Sequence, residues 1–386
     1  MNKASGAILQ RPNQGNEQLE TVGAYMWPTY KRTSRAMGGD WAASFTVGAG
    51  EDPVDDYILE TWYSNYLGCK FEERYAGQLT FVGLITGMRL SYRGDEHSTS
   101  LNDMSNNVAC WYTPGPGQPR RLTSFFSDAT SIAKYGTKTL ILNSKGHLSQ
   151  SAAEQRAEAK LAQLATPRSI AGDMGPFNGK RGQLQISIIG LARTMDWTLY
   201  NSTSTAEDDA DAQISTILSG VDFVSEGTLE ANSTQVPVGA DYRPSWKLIE
   251  DIAQNDDSGA SERWLVGCYA SDALDYFEVD ESVVKYYRDM KRGQRVIVDY
   301  SGADVPAPLV QPGGIVFTRD IMTGQAVAST LRDDPRAAFI EQVSYDRNGV
   351  KLKGLPVGDE ESAANTSLAL ASALRERQDR LRGLSL

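Results

Sequence analysis

From Leu79 to Tyr92 apolar residues recur in alternation, and glycines stand at positions 77, 83 and 87. A two-residue period sends one set of side chains to one face of a strand. Glycine inside such a run marks a bend or a close backbone approach. The stretch therefore predicts strongly curved antiparallel strands, as in a small barrel, and a chain with this segment at its heart must organise its core around β-structure.

Other segments follow the same logic. Trp41, Ala43, Phe45 and Val47 alternate with Ala42, Ser44 and Thr46 behind Gly38-Gly39, which predicts a half-buried strand. Asp52 and Pro53 stand where a helix would begin, and Val54, Tyr57, Ile58, Thr61, Trp62 and Leu67 recur at helical spacing until Gly68. Strands are expected at 68–73 and 108–112, the second closed by the turn Pro114–Gly117. The run Ser131–Gly136 reads as a strand ending in a Tyr135-Gly136 corner, followed by Thr137–Leu142 and an Ala-rich helix, Ser151–Ala165. Ser151 with Glu154 has capping-box spacing, and Ala153, Ala157, Leu161 and Leu164 form a small-residue docking stripe. Leu184, Ile186, Ile188 and Ile189 form a further strand; Gly190 bends it, and Met195, Trp197 and Leu199 resume the alternation.

A polar, acid-rich linker at 201–211 precedes two predicted helices, one carrying Ile214, Ile217 and Leu218, the other Ser245–Ala253 with Ser245 as its N-cap. A hairpin is expected from Arg263–Tyr269 and Leu274–Val279, then strands at Val296–Tyr300, Gly314–Thr318 and Val350–Lys353. The fold class that results is α+β and β-rich, with two small barrel-like domains and a mixed α+β domain between them. The expected boundaries are 1–201 for the first barrel-like domain with an inserted strand-helix segment at about 118–182, 202–290 for the α+β domain, 291–358 for the second barrel-like domain and 359–386 for a helical tail. Leu370, Leu374, Leu381 and Leu384 recur along that tail at alternating four- and three-residue steps, interrupted by Arg377, and read either as a row that binds a neighbouring subunit or as a frayed helix on its own chain.

Composition narrows function. The 386 residues carry 49 acidic and 38 basic side chains, a net charge of −11, whereas wrapping a nucleic-acid backbone needs a concentrated basic stripe. The basic clusters Lys31-Arg32, Arg120-Arg121 and Lys291-Arg292 read as solvated turns. No apolar run reaches the length of a membrane helix, and the polar segment Gln10–Glu20 behind Lys3 predicts no secretory signal and no membrane insertion by this chain. Cys69, Cys110 and Cys268 are too widely spaced for a disulfide framework and read as small buried residues.

Chemistry-bearing motifs are few. Only His97 and His147 are present, with no HExxH pair, no Cys/His ligand set, no Gly-x-Ser-x-Gly elbow and no Walker loop. Glu72-Glu73, Asp208-Asp209 and Asp256-Asp257 read as solvated surface, because sugar hydrolysis needs two carboxyls facing each other across a cleft. The expectation is no catalytic residue, no metal and no cofactor, with function carried by interfaces. The candidate anchors are Trp62, Tyr66, Tyr135 and Trp246, together with the tail leucines.

The succession Gly38-Gly39-Asp-Trp-Ala-Ala-Ser-Phe45, Trp62, Leu67-Gly68, Phe81-Val-Gly-Leu-Ile85 and Ser131–Gly136 with its Ala-rich helix resembles the tail hub (baseplate hub) proteins of tailed bacteriophages. The resemblance continues through Pro244-Ser245-Trp246, the Trp264 hairpin and Val310–Val316, and spans roughly residues 20–330. It implies a homotrimer whose barrel-like domains form a pseudo-sixfold ring at the distal end of the tail tube, adapting sixfold to threefold symmetry. Implied partners are further copies of the chain, the tail tube or distal tail protein, and a tip or fibre protein, with DNA passing through the lumen unbound. The implied location is the virion tail, assembled in the host cytoplasm. Two alternatives stand beside it: a distal tail or receptor-binding baseplate component, and a cell-wall glycosidase acting through unrecognised carboxylates.

Overall fold

The computed structural model describes residues 4–15, 17–26, 28–48, 54–92, 95–173, 182–254, 264–279, 284–289, 296–299, 309–313, 315–318, 337–346 and 349–356. The chain begins with β1 (Ala4–Leu9), β2 (Gln18–Thr21), the single turn α1 (Gly23–Met26), β3 (Lys31–Arg35) and β4 (Gly38–Val47). It continues through α2 (Asp56–Asn65), β5 (Lys70–Tyr75), the long β6 (Gln78–Tyr92) and β7 (Asp95–Ser100). An insertion follows: β8 (Asn107–Thr113), β9 (Arg121–Leu122), β10 (Phe126–Ser127), α3 (Ala129–Tyr135), β11 (Thr139–His147) and α4 (Gln150–Leu164). The main sheet resumes with β12 (Ser169–Asp173) and β13 (Gln183–Gly190).

After a 3₁₀ segment at Leu191–Trp197 come β14 (Leu199–Ser202), β15 (Glu207–Asp209), α5 (Ala210–Leu218), β16 (Ser225–Leu229), β17 (Gln235–Pro237), β18 (Ala240–Pro244) and α6 (Ser245–Gln254). The hairpin β19 (Trp264–Cys268) and β20 (Ala273–Glu278) precedes β21 (Val284–Asp289), β22 (Val296–Asp299), β23 (Ile315–Thr318), β24 (Ala337–Asp346) and β25 (Gly349–Pro356). The chain is α+β and β-rich.

The main sheet grows outward from β6, whose length lets it serve several neighbours. Its first half pairs antiparallel with β5 and its second half with β7, while β13 runs along it from Gly83 to Ser91. Ile186 and Ile188 of β13 face inward between β4 and β6, the alternation doing what a two-residue period requires. From β13 the ladder passes to β4, β3, β24 and β25, and β24 also pairs β23, which leads to β21 and β22. On the other side β5 pairs β1 and β1 pairs β2. Strands before residue 100 and strands after residue 284 thus belong to one hydrogen-bonded sheet, joined where Arg35 faces Gln342 and Lys31 faces Asp346. Among the described residues no pairing closes this sheet into a barrel.

One large core lies under it. Phe45, Phe71 and Phe81 pack ring against ring, and the same cluster runs on through Leu191 and Met195 to Ile214 and Ile217 of α5, Ile249 and Ile252 of α6, and Val266, Leu274 and Tyr276 of the hairpin. The insertion carries a small core of its own. There β8 and β11 run parallel, and Ala153 and Ala157 of α4 cover Val108, Cys110 and Tyr112.

Three local expectations are corrected. Residues 129–135 are helical rather than extended, because the Asp128 side chain caps the turn by accepting from the Ser131 amide. The cap of α4 is Ser149, not Ser151: its hydroxyl accepts from the Ala152 amide, 3.3 Å away. Met195 and Trp197 lie in 3₁₀ geometry, not in a strand, since Leu191, Ala192, Thr194 and Met195 all turn into the core together. The strand at 337–346 was not anticipated, and the expected tail helix lies outside the described residues.

Candidate functional site

The hairpin β19–β20 meets the main sheet at a crossing of glycines. Gly267 and Cys268 pair in parallel with Gly38 and Gly39. Gly39 adopts φ +68, where an L side chain is strained, and a Cβ there would stand 2.1 Å from the Cys268 carbonyl oxygen. Gly190 crosses the same point from β13; a Cβ on it would come within 1.6 Å of the Asp40 carbonyl oxygen. The side chain of Asp40 reaches down beside this crossing.

Asp40 is fully buried. Its Oδ2 accepts from the amides of Val82 at 2.8 Å and Ala270 at 3.0 Å, and Oδ1 lies 3.2 Å from the Ser34 hydroxyl. One carboxyl thereby ties β3, β4, β6 and the turn between β19 and β20. Burial raises its pKa from 3.8 to about 7, against the lowering influence of Arg32 and of the three hydrogen bonds. Close by, Arg32 Nε stands 3.0 Å from Glu73 Oε2, Arg32 Nη1 donates to the Thr80 carbonyl at 2.6 Å, and the Tyr30 hydroxyl donates to Glu73 at 3.1 Å. Tyr345 of β24 presents its ring to the Arg32 guanidinium at 5.4 Å. Glu73 is also raised by burial, with Arg32 opposing, and Tyr30 is raised by burial and by Glu73.

This corrects the reading of Lys31-Arg32 and Glu72-Glu73 as solvated pairs, since Arg32, Glu72 and Glu73 are all buried. On the opposite face of β5, Glu72 pairs with Lys70 at 3.4 Å and Arg74 at 2.8 Å, and Lys70 reaches Asp272 at 2.9 Å. The hydrogen bond from Lys70 holds the Asp272 carboxyl below its ordinary range. Each of these side chains has a partner within the chain, although the buried Glu73 Oε1 accepts no hydrogen bond among the described residues. The network joins strands β3, β5 and β6 to each other and to the turn at Asp272.

The remaining titratable candidates are placed just as clearly. His97 lies on β7 and His147 ends β11, each within a strand ladder. Cys69, Cys110 and Cys268 are buried free thiols, each pushed up by burial and so held in the unreactive neutral form. Among the described residues no group of three or more His, Cys, Asp or Glu could hold a metal ion, and no helix is long and apolar enough to cross a membrane.

Of the predicted anchors, Trp62, Tyr66 and Trp246 are 2%, 9% and 3% exposed. Trp62 packs edge-on against Tyr25 at 5.7 Å and lies 5.8 Å from Tyr66, so both rings are used inside this chain. Trp246 faces the common core from α6. Tyr135 is half-buried against Gly68, with Lys134 and Arg11 near its ring. Leu370, Leu374 and Leu381 lie outside the described residues. The surface instead shows Tyr57 at 73% and Ile170 at 59% exposure, Phe125 beside Tyr242, and a Trp41 ring with two guanidinium groups over it. The apolar period of β4 puts Trp41 on one face with the buried Ala43, Phe45 and Val47, but its ring is only partly buried, and nothing in the local sequence announced Arg193 as its neighbour.

No protein-family model matches the sequence, and no curated protein matches it. Among solved structures the chain is similar to a tail protein from Neisseria meningitidis, at 9% identity over 92% of this chain and 98% of that one, with a TM-score of 0.44. It is also similar to a 43 kDa tail protein of prophage MuSo2 from Shewanella oneidensis, at 7% identity over 93% and 98%, with a TM-score of 0.42. A third similarity is to the prophage tail protein gp18 from Listeria monocytogenes, at 8% identity over 96% and 99%, with a TM-score of 0.38.

Proposed function

We propose that this chain is a structural component of a bacteriophage tail: a hub subunit, non-enzymatic, that forms a homotrimeric ring at the distal end of the tail tube. In this reading each copy contributes two barrel-like wall segments, one built on β1–β7 with β12 and β13 and one on β21–β25, so that three copies offer six positions to a sixfold tube and three to the tip. Its partners are the tail tube or distal tail protein on one side and a tip or fibre protein on the other. Assembly takes place in the host cytoplasm, and DNA passes through an acidic lumen without being held, as like-charge repulsion favours.

The observation that carries the reading is the pairing of β3 with β24, which makes the early and late strand sets one continuous wall. A wall segment that must resist bending is better served by a shared ladder than by two modules on a linker. The residue resemblance to tail hub proteins supplies the rest. Native mass spectrometry of the chain assembled with its tube protein tests it: three copies per ring are expected, whereas six would assign the chain to a distal tail ring instead.

A further inference from the structure

Arg35 ends β3, and Arg193 lies in the 3₁₀ segment after β13. Their guanidinium carbons stand 4.1 and 5.0 Å from the centroid of the Trp41 indole, which is itself lodged against Gly38. Neither arginine forms an ion pair among the described residues; the acid coupled to Arg193, Asp196, is exposed, and Lys247 and Glu250 of α6 lie behind it. Two cations on one indole repel each other: Arg193 is lowered by burial, raised by Asp196 and lowered again, more weakly, by Arg35. An incoming carboxylate removes that repulsion and gains charge-assisted hydrogen bonds beside an apolar ring, the setting in which Arg and Trp serve as interface anchors.

We propose that Arg35, Trp41 and Arg193 form a carboxylate-binding clamp that takes the acidic strand β15 of a second copy of this chain. A phosphate backbone fits less well: the chain carries −11 overall, Asp196 is coupled to Arg193, and the next cation, Lys247, is held by Glu250 and Asp251. In β15, Glu207, Asp208 and Asp209 are all exposed; Asp209 accepts from Gln235, while Glu207 and Asp208 form no ion pair among the described residues. Joining two different patches of identical chains is a heterologous contact, the kind that propagates around a ring. The proposal rests on the tail-ring reading only for that last step, the closure.

The test is self-association of the full chain by mass photometry over a concentration series. R35E/R193E and E207R/D208R are each expected to weaken association by about tenfold or more, and the quadruple variant to recover it. R35E alone, at an exposed site, gives a partial loss and guards against misfolding of the double variant, with thermal melts as the check on folding. Single-patch variants that associate like the parent, or a quadruple variant that fails to recover, overturn the proposal. So does duplex DNA binding that R35E/R193E abolishes while association is unchanged, which would make the clamp a phosphate site. A parent that stays monomeric throughout also overturns it, yet leaves the tail reading intact, because that reading is judged on the co-assembly with the tube protein.

Discussion

Replacing Asp40 by Asn should remove a pH dependence of stability that the parent carries. In the folded chain the carboxyl has a pKa of about 7, against 3.8 for the free side chain, because burial disfavours its charge. The fold therefore prefers the neutral acid. Well below pH 3.8 the group is neutral in both folded and unfolded chains and the stability is intact; as the pH rises through 3.8 toward about 7 the unfolded chain ionises first and the advantage is lost. The interval from 3.8 to about 7 corresponds to about 4 kcal/mol at 1.36 kcal/mol for each tenfold.

Asn keeps the geometry in its neutral form. Its carbonyl accepts from the Val82 and Ala270 amides, and its NH₂ takes the place of the oxygen that accepts from the Ser34 hydroxyl, which rotates to accept instead. Urea unfolding followed by tryptophan fluorescence from pH 4.5 to 8 measures both proteins. The quantity to plot is the difference between them, since titrating groups remote from Asp40 cancel in it. D40N should gain on the parent steadily as the pH rises. A difference that is flat across this range, or that moves against D40N, would refute the assignment of a buried neutral carboxyl at the glycine crossing.

Two more predictions concern packing. G190A should fail to yield soluble folded protein, because its Cβ collides with the Asp40 backbone, whereas G87A, whose Cβ meets Ser187 at an ordinary 3.5 Å, should fold and melt close to the parent; expression with circular dichroism separates them. W246A and W62A should each lose about 3–5 kcal/mol of stability in urea titrations while leaving any assembled mass unchanged, as expected of core rings; a changed copy number with unaltered stability would return them to the interface.

Much of the sheet was legible because its strands carry runs of the period-two pattern: Trp41 to Val47, Leu79 to Tyr92 and Leu184 to Ile189 all fall within observed strands, although residues 80–86 are buried on both faces and a bulge falls at Ser187/Ile188. The helices at 210–218 and 245–254 were legible from their apolar stripes, and the hairpin at 264–278 from its spacing. The Tyr135 region was misread because α3 is too short to show a stripe, and its true signal was the Asp128 cap. Buried charge was misread for a general reason. Adjacent residues in a strand face opposite sides, so a basic pair such as Lys31-Arg32 sends Lys31 to solvent and Arg32 inward to Glu73, although side by side on paper they suggest surface. Likewise Lys70, Glu72 and Arg74, each two apart, were a readable same-face ladder. The clamp on Trp41 was not readable at all, since Arg35 and Arg193 meet only through the tertiary fold.

The partnership of Lys31–Arg35 with Ala337–Asp346 also governs the order of events during synthesis. When the first of these segments leaves the ribosome, the neighbour that will cover its free side is hundreds of codons away, and loop closure over such a span is slow. Until it arrives, a row of unpaired amides and carbonyls stands open to any other nascent chain. A polypeptide wired in this way leaves that edge uncovered until residues 337–346 have been made, so β24 acts as a gate that keeps half-made copies from being recruited.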